Sequence, residues 1–259
     1  MDQNITEETK MINAETIRKL RQLDLDGFVD ALEMQELNLS TLQLTFDERI
    51  QMATDSLYQE KYNHRVQGLI KRAKLRFSDA DLSSIYYEKR DINREVLQEL
   101  GNCNFIHQQF DVVMQGFTGS GKTFLGCALG KEACKKEIRT RYVRLPDLLI
   151  ERDEATLKDK GVTNLLRKYS NYGLLILDEW LLDDLAEDDL KFIFELVERR
   201  HDTHSTIYCT QFRKGDWHQR LGGSVHADAI MDRIVHRAVW FETGTMNMRE
   251  QFGQNRETE

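Results

Sequence analysis

The chain has almost no proline: in 259 residues there is one, Pro146. It falls where a helix would begin after a predicted strand, a position that tolerates its missing N–H. No apolar run approaches the roughly 20 residues needed to cross a bilayer. The start, MDQNITEETK, lacks a charged-then-apolar export signal, so the expected location is cytoplasmic, with no membrane partner. The four cysteines (Cys103, Cys127, Cys134, Cys209) form no C-x-x-C pair, and a chain of this length does not need disulfides to fold. They are expected to be reduced and buried, with no metal or catalytic role. Internal repeats and low-complexity tracts are also lacking.

With 40% hydrophobic residues, the chain can bury one sizeable core and a smaller second unit. The net charge of −8 argues weakly against nucleic acid, but it is unevenly spread. Residues 1–60 carry 13 acids and 5 bases, whereas residues 61–76 carry six bases and no acid.

Up to about residue 76 the periodicity is helical, which predicts a small all-helical N-terminal domain over residues 1–76. Asn13 can cap a helix running towards Leu23, and a second apolar-periodic segment runs from Asp26 through Phe28, Ala31 and Leu32. Thr45 followed by Glu48 is a capping-box signature and predicts a helix continuing to about residue 75. At about 100° per residue, Tyr62, Val66, Leu69, Ile70 and Ala73 fall in one arc of it. Lys61, Arg65, Arg72 and Arg76 fall in the adjacent arc. This basic arc is either a solvated helix face or a surface that follows a phosphate backbone.

Residues 77–94 are polar and aperiodic and are expected to be a connector. From residue 95 to 259, short apolar runs alternate with helical stretches, the pattern of crossover units on a parallel sheet. Strands are predicted at 112–115, 141–144, 174–178, 206–209 and 238–241.

The chemistry is concentrated in this second region. Gly116-Phe117-Thr118-Gly119-Ser120-Gly121-Lys122-Thr123 matches G-x-x-x-x-G-K-[ST], with a strand before it and a helix after it. Glycines let the backbone wrap phosphates, and the N–H groups at the helix start face negative charge. Lys122 would reach the β and γ phosphates. Thr123 would offer its hydroxyl oxygen to Mg²⁺, so the motif implies a magnesium nucleotide.

Leu174 to Glu179, LLILDE, is a buried-strand run ending in two acids. Asp178 would hold Mg²⁺ and Glu179 would orient and deprotonate the attacking water. Thr206 to Gln211 ends another strand in polar residues, placing Thr210 or Gln211 beside the γ-phosphate, or else simply making a turn. Arg233, Arg237 and Arg249 are sources of transition-state charge or solvated surface cations.

Taken together, these residues resemble the IstB-like ATP-binding proteins, helper ATPases of insertion sequences in the AAA+ class, close to the DnaC-type helicase loaders. The likeness spans about residues 14–250. The P-loop and the LLILDEWLLDDL segment are shared with many ATPases. The Trp217 segment and the run AIMDRIVHRA are more particular.

The resemblance implies an α/β P-loop AAA+ core with a mostly parallel sheet flanked by helices. By it, Arg233 is the arginine finger, Gln211 or Thr210 the first sensor, and Arg249 the closing arginine of the last motif. One departure is that this motif reads Gly244-Thr245-Met246-Asn247-Met248-Arg249 rather than the family's Gly-x-Ser-Tyr-Arg-like pattern. The resemblance also implies hydrolysis of ATP, an ATP-dependent homo-oligomer on duplex DNA, and a partner transposase that carries the strand-transfer chemistry. A helicase loader and a nucleotide-gated adaptor with negligible hydrolysis are the alternatives.

Overall fold

Asn13 accepts a hydrogen bond from the Thr16 N–H at 2.7 Å and so caps α1 (Ala14–Gln22). It is the first structural feature of a computed structural model that describes residues 12–38, 40–88 and 90–253. The chain divides into two compact units at Gln67 and Gly68.

In the first unit, α2 (Asp26–Leu37) buries Val29, Leu32 and Gln35. Thr45 and Glu48 form the expected capping box: the Thr45 N–H donates to Glu48 Oε2 at 2.8 Å, and the Glu48 N–H to Thr45 Oγ1 at 3.3 Å. It opens α3 (Phe46–Ala73), which continues into the second unit. Buried Gln35 donates to Arg49 O at 2.9 Å and accepts from Arg49 Nε at 3.1 Å, so its amide is not left unpaired between α2 and α3. Helix α3 stops where Lys74 adopts a left-handed conformation (φ 53°).

The second unit begins with the end of α3 and a segment expected to be a connector. That segment is built into the core: Ala80 and Ile85 are buried with Leu97, Leu125 and Leu129. Its apolar residues are too irregularly spaced to show a period, yet Ala80 and Ile85 are buried, while Phe77 stays exposed.

Next come α4 (Arg94–Gly101), α5 (Asn104–His107) and β1 (Asp111–Gln115), followed by α6 (Lys122–Lys135) and β2 (Thr140–Arg144). Then come α7 (Leu145–Thr156), α8 (Gly161–Ser170), β3 (Leu174–Asp178), α9 (Glu187–Arg200) and β4 (Ser205–Thr210). The series closes with α10 (Lys214–Arg220), α11 (Val225–Val235), β5 (Ala238–Glu242) and α12 (Met248–Gly253).

All five predicted strands are present. They form one sheet in the order β2-β3-β4-β1-β5, and every neighbouring pair is parallel. Because side chains alternate across a strand, Val113, Val143, Leu175, Leu177 and Tyr208 pack with α7 to α11 on one face. Val112, Met114, Ile176, Ile207 and Cys209 pack with α4 to α6 on the other. Double-sided burial explains why these strands are almost continuous apolar runs. Among the described residues no helix is long and apolar enough to cross a membrane.

Arg200 secures the edge of the sheet where β3 and β4 begin. Fully enclosed, it donates to Thr206 Oγ1 and to the carbonyls of Tyr169, Ser170, Tyr172 and Ser205. Burial pushes its pKa down to about 10. Arg200→Met leaves those buried acceptors without donors and should cost about 3 kcal/mol or more. Urea unfolding checks this, and nucleotide affinity of the folded fraction should be unchanged.

Candidate active site

The carboxyl ends of β1, β3 and β4 lie side by side, because β4 pairs with both of the others. Crevices at this edge of an open parallel sheet are where such folds bind ligands. Residues 116–121 bridge β1 and α6 there, and Gly121 is the N-cap of α6. Its φ of 93°, like the 90° of Gly119, belongs to a region that residues with a Cβ avoid.

The loop is braced from behind. Ser120 Oγ and Thr243 Oγ1 are 2.6 Å apart, and Arg90 Nη2 donates to the carbonyls of Ser120 at 2.7 Å and Thr243 at 2.9 Å. The Met248 N–H donates to Gly119 O at 2.9 Å. Segments on either side of the crossover core thus hold the loop in shape. Arg90 is buried, and that burial lowers its pKa.

In front of the loop is a pocket of about 660 Å³ lined by Thr118, Gly119, Gly121, Lys122, Thr123, Asp178, Glu179, Gln211 and Arg249. Arg76, Phe77, Ile85, Tyr86, Arg90 and Phe124 close its other side. Lys122 Nζ donates to the carbonyls of Gly116 at 2.6 Å and Phe117 at 2.8 Å. Burial lowers its pKa, and the nearby Arg249 charge adds to the effect.

Asp178 is buried, and the hydroxyls of Thr123 and Tyr142 both donate to its Oδ2 at 2.8 Å. Burial first, then the Asp178 charge, raises the Tyr142 pKa, which keeps the phenol a donor. Glu179 follows in a left-handed conformation (φ 56°). Its Oε2 accepts from Arg144 Nη2 at 2.6 Å, and its Oε1 lies 3.7 Å from Arg76 Nη1. The hydrogen bond to Glu179 raises the Arg144 pKa.

The sequence-predicted residues therefore separate into groups. The pocket gathers Thr118, Gly119, Gly121, Lys122, Thr123, Asp178, Glu179, Gln211 and Arg249. Gly116 and Ser120 shape the loop from behind. Thr210 is buried and its hydroxyl is used on Trp180 O at 3.0 Å, whereas Gln211 Oε1 accepts from Thr118 Oγ1 at 3.1 Å. Of the two sensor candidates, Gln211 faces the loop.

Arg233 lies on α11, outside the pocket, paired with Glu198 and over the Phe194 ring at 5.3 Å. Lys61, Arg65 and Arg72 are exposed on α3. Arg76 departs from the expected helical arc: α3 ends at Ala73, so Arg76 is no longer on the wheel and lines the pocket beside Glu179.

Sequence reasoning missed Tyr142, Arg144, Arg76 and Arg90 as parts of the site. Arg144 had a usable signal. It is the last residue of β2 and stands in register with Asp178, so it had to lie at the same edge. Arg90 had none, since the carbonyls through which it braces the loop are 30 and 153 residues away.

Cys127 on α6 and Cys209 on β4 are buried, and that burial pushes the Cys127 thiol up to about 11 and Cys209 well above its ordinary value. All four cysteines are buried, as expected.

A family model described as IstB-like ATP binding protein matches residues 18–256. An insertion-sequence ATP-binding protein of Sinorhizobium fredii is 30% identical over 242 residues, covering 92% of this chain and 96% of that protein. The ATP-binding protein of insertion sequence IS1162 from Pseudomonas fluorescens is 31% identical over 202 residues, covering 78% and 87%. Among solved structures, a DnaC helicase loader superposes with a TM-score of 0.55 at 23% identity, over 64% of this chain and 98% of that one, so it shares the AAA+ fold.

Gly121→Ala tests the loop geometry. Its methyl group would meet Arg90 Nη2 at 3.2 Å in a left-handed conformation that costs an ordinary residue about 1–2 kcal/mol. Nucleotide affinity, measured by titration with a fluorescent ATP analogue, should fall about tenfold.

Proposed function

The chain belongs to the IstB-like ATP-binding protein family, and from that membership we propose that it is an ATPase whose nucleotide state controls assembly on duplex DNA and stimulates a partner transposase. The observation that carries the reading is the junction of Lys122, Thr123, Asp178 and Glu179 at one pocket. That junction supplies a phosphate cradle, a metal-binding pair and a base for hydrolysis.

The donor set suits Mg²⁺. Thr123 and Asp178 present two hard oxygens 2.8 Å apart, and no cluster of three or more His, Cys, Asp or Glu side chains exists among the described residues. Magnesium takes few protein ligands and completes its shell with water and phosphate oxygens. Bound there, it would neutralise charge on the β and γ phosphates.

The protein's own groups account for the rest. Backbone N–H groups at the start of α6 and Lys122 orient the phosphates. Glu179 takes the proton of the attacking water, and Gln211 and Arg249 face the same pocket as polar and cationic contacts for the terminal phosphate. Arg233 lies outside its own pocket and is suited to reach that of a second copy, so a homo-oligomer completes the site.

Insertion sequences are DNA, and Lys61, Arg65 and Arg72 form an exposed basic stripe on α3 fit to follow phosphates. ATP and DNA as ligands agree with a cytoplasmic location. The domain roles follow: the N-terminal helical region serves partner and DNA contacts, and the part of the chain from Arg76 onward, which builds the pocket, serves hydrolysis. The DnaC-type fold favours a second reading, a helicase loader, which would prefer single strands and bind a replicative helicase.

ATP turnover and light scattering, measured together with and without duplex DNA, test the proposal. Duplex should stimulate turnover and, with ATP, produce a large assembly; single-strand preference would favour the loader. Lys122→Ala should lose nucleotide-dependent assembly, and Glu179→Gln should bind ATP, turn over slowly and remain on DNA. Mixing Arg233→Ala with Lys122→Ala subunits should restore some turnover, and failure at every ratio would refute the shared site.

DNA contact has a separate readout. Arg65→Ala with Arg72→Ala should weaken duplex affinity at all sequences and reduce the slope of log affinity against log salt by about 2. An unchanged slope removes α3 from the DNA interface.

A further inference from the structure

Glu179 and Leu181 have φ values of 56° and 59°. A left-handed conformation is uncommon for glutamate and leucine and persists only where the surroundings impose it. Here two such residues stand within one turn, directly after the strand that ends in Asp178. What imposes the turn is a set of donors aimed at its carbonyls.

The first comes from β4: Thr210 Oγ1 donates to Trp180 O at 3.0 Å, while the Trp180 N–H donates to Cys209 O at 2.9 Å. The turn is closed on itself by the Leu182 N–H, which donates to Glu179 O at 3.2 Å, and the remaining side-chain donors come from Arg220, at the end of α10. Its Nε and Nη2 donate to Leu181 O at 3.0 and 2.9 Å, and Nη2 also donates to Leu182 O at 2.5 Å. The guanidinium lies over the Phe212 ring at 4.5 Å and pairs with Asp184 at 3.4 Å. From below, buried Trp217 of the same helix packs against Trp180, with ring centroids 5.8 Å apart.

We propose that Arg220 is a positioning residue for Glu179: its planar fork on the Leu181 and Leu182 carbonyls holds the left-handed turn that aims the Glu179 carboxylate into the nucleotide pocket. This rests on the reading of Glu179 as the group that activates water. Arg220 is outside the pocket lining and bonds neither to the P-loop nor to Asp178; Leu182, whose carbonyl it holds, borders the pocket, but the phosphate-facing groups are untouched, so its main effect falls on the aim of Glu179. A lysine keeps the charge but cannot present two fixed N–H vectors to one carbonyl, so it replaces the arginine only in part. The Trp-containing helix α10 thereby gains a role in hydrolysis without approaching the nucleotide.

The test compares wild type, Arg220→Ala, Arg220→Lys and Glu179→Gln for kcat, KM and the Kd of a fluorescent nucleotide, with thermal unfolding run alongside. Arg220→Ala should lower kcat about 10- to 100-fold, the size expected when a reacting group is misplaced by about 1 Å. KM and Kd should stay within about threefold, a difference of under ~0.7 kcal/mol. Arg220→Lys should fall between Arg220→Ala and wild type.

Wild-type kcat in Arg220→Ala, or a parallel loss of kcat and nucleotide affinity in a folded protein, overturns the proposal. If Arg220→Ala does not fold, Arg220→Lys decides: a reduced kcat at constant KM supports the role, and a wild-type kcat ends it. Glu179→Gln separates the two levels. Normal turnover by that protein means that the functional reading has failed, whereas an inactive Glu179→Gln beside a fully active Arg220→Ala means that only the role of Arg220 has failed.

Discussion

Thr123 and Asp178 meet at 2.8 Å although β4 stands between the strands that carry them. The hydroxyl is at the start of the helix that follows β1, and the carboxylate is at the end of β3, so their contact spans the end of β4. For it to form, three strands must end level and the loop after β1 must bend sharply enough to set α6 back over the sheet. The left-handed glycines allow that bend, and Arg90 and Thr243 keep it. Pocket shape, lysine placement and the approach of Gln211 to Thr118 all follow from this one closure.

Charge is arranged around it with similar economy. Lys122, Arg249, Arg76 and Arg90 all border the pocket, against three acids, Asp79, Asp178 and Glu179. Lys122 and Arg249 repel one another in a partly desolvated space, where Coulomb terms are larger than in water. A polyanion placed among them would relieve that repulsion as well as gain attraction, so the arrangement is itself biased towards phosphate. Preorganisation of this kind does not require the protein to rearrange its dipoles as charge develops.

Much of this was legible in the sequence. The P-loop and the LLILDE run are local patterns, and their chemistry depends on residues a few positions apart. The strands showed themselves because double-sided burial leaves continuous apolar runs. The capping box at Thr45 was readable because both partners lie within four residues. Legibility failed where the deciding contact is remote. Arg90 binds a carbonyl 153 residues away, and Arg76 left the helical arc because a single left-handed residue, Lys74, ends the helix early. The apolar residues of segment 77–94 are spaced too irregularly to show a period, although burial of Ala80 and Ile85 makes it part of the core.

The strand order also has a consequence for synthesis. Strand β1 has as neighbours only β4 and β5, each about a hundred residues or more further along the chain, so the loop strand has no hydrogen-bonding partner when it first emerges. At ribosomal rates of ~5–20 residues per second, β4 follows β1 by on the order of 5–20 seconds, and non-local pairing of this kind adds to slow folding. A nascent or interrupted chain ending before residue 205 would already contain Lys122 and Asp178 but no strand to bring them together. A copy that ends before β4 therefore lacks the strand that sets Lys122 beside Asp178, and it is residues 205–259 that complete the sheet on which the pocket stands.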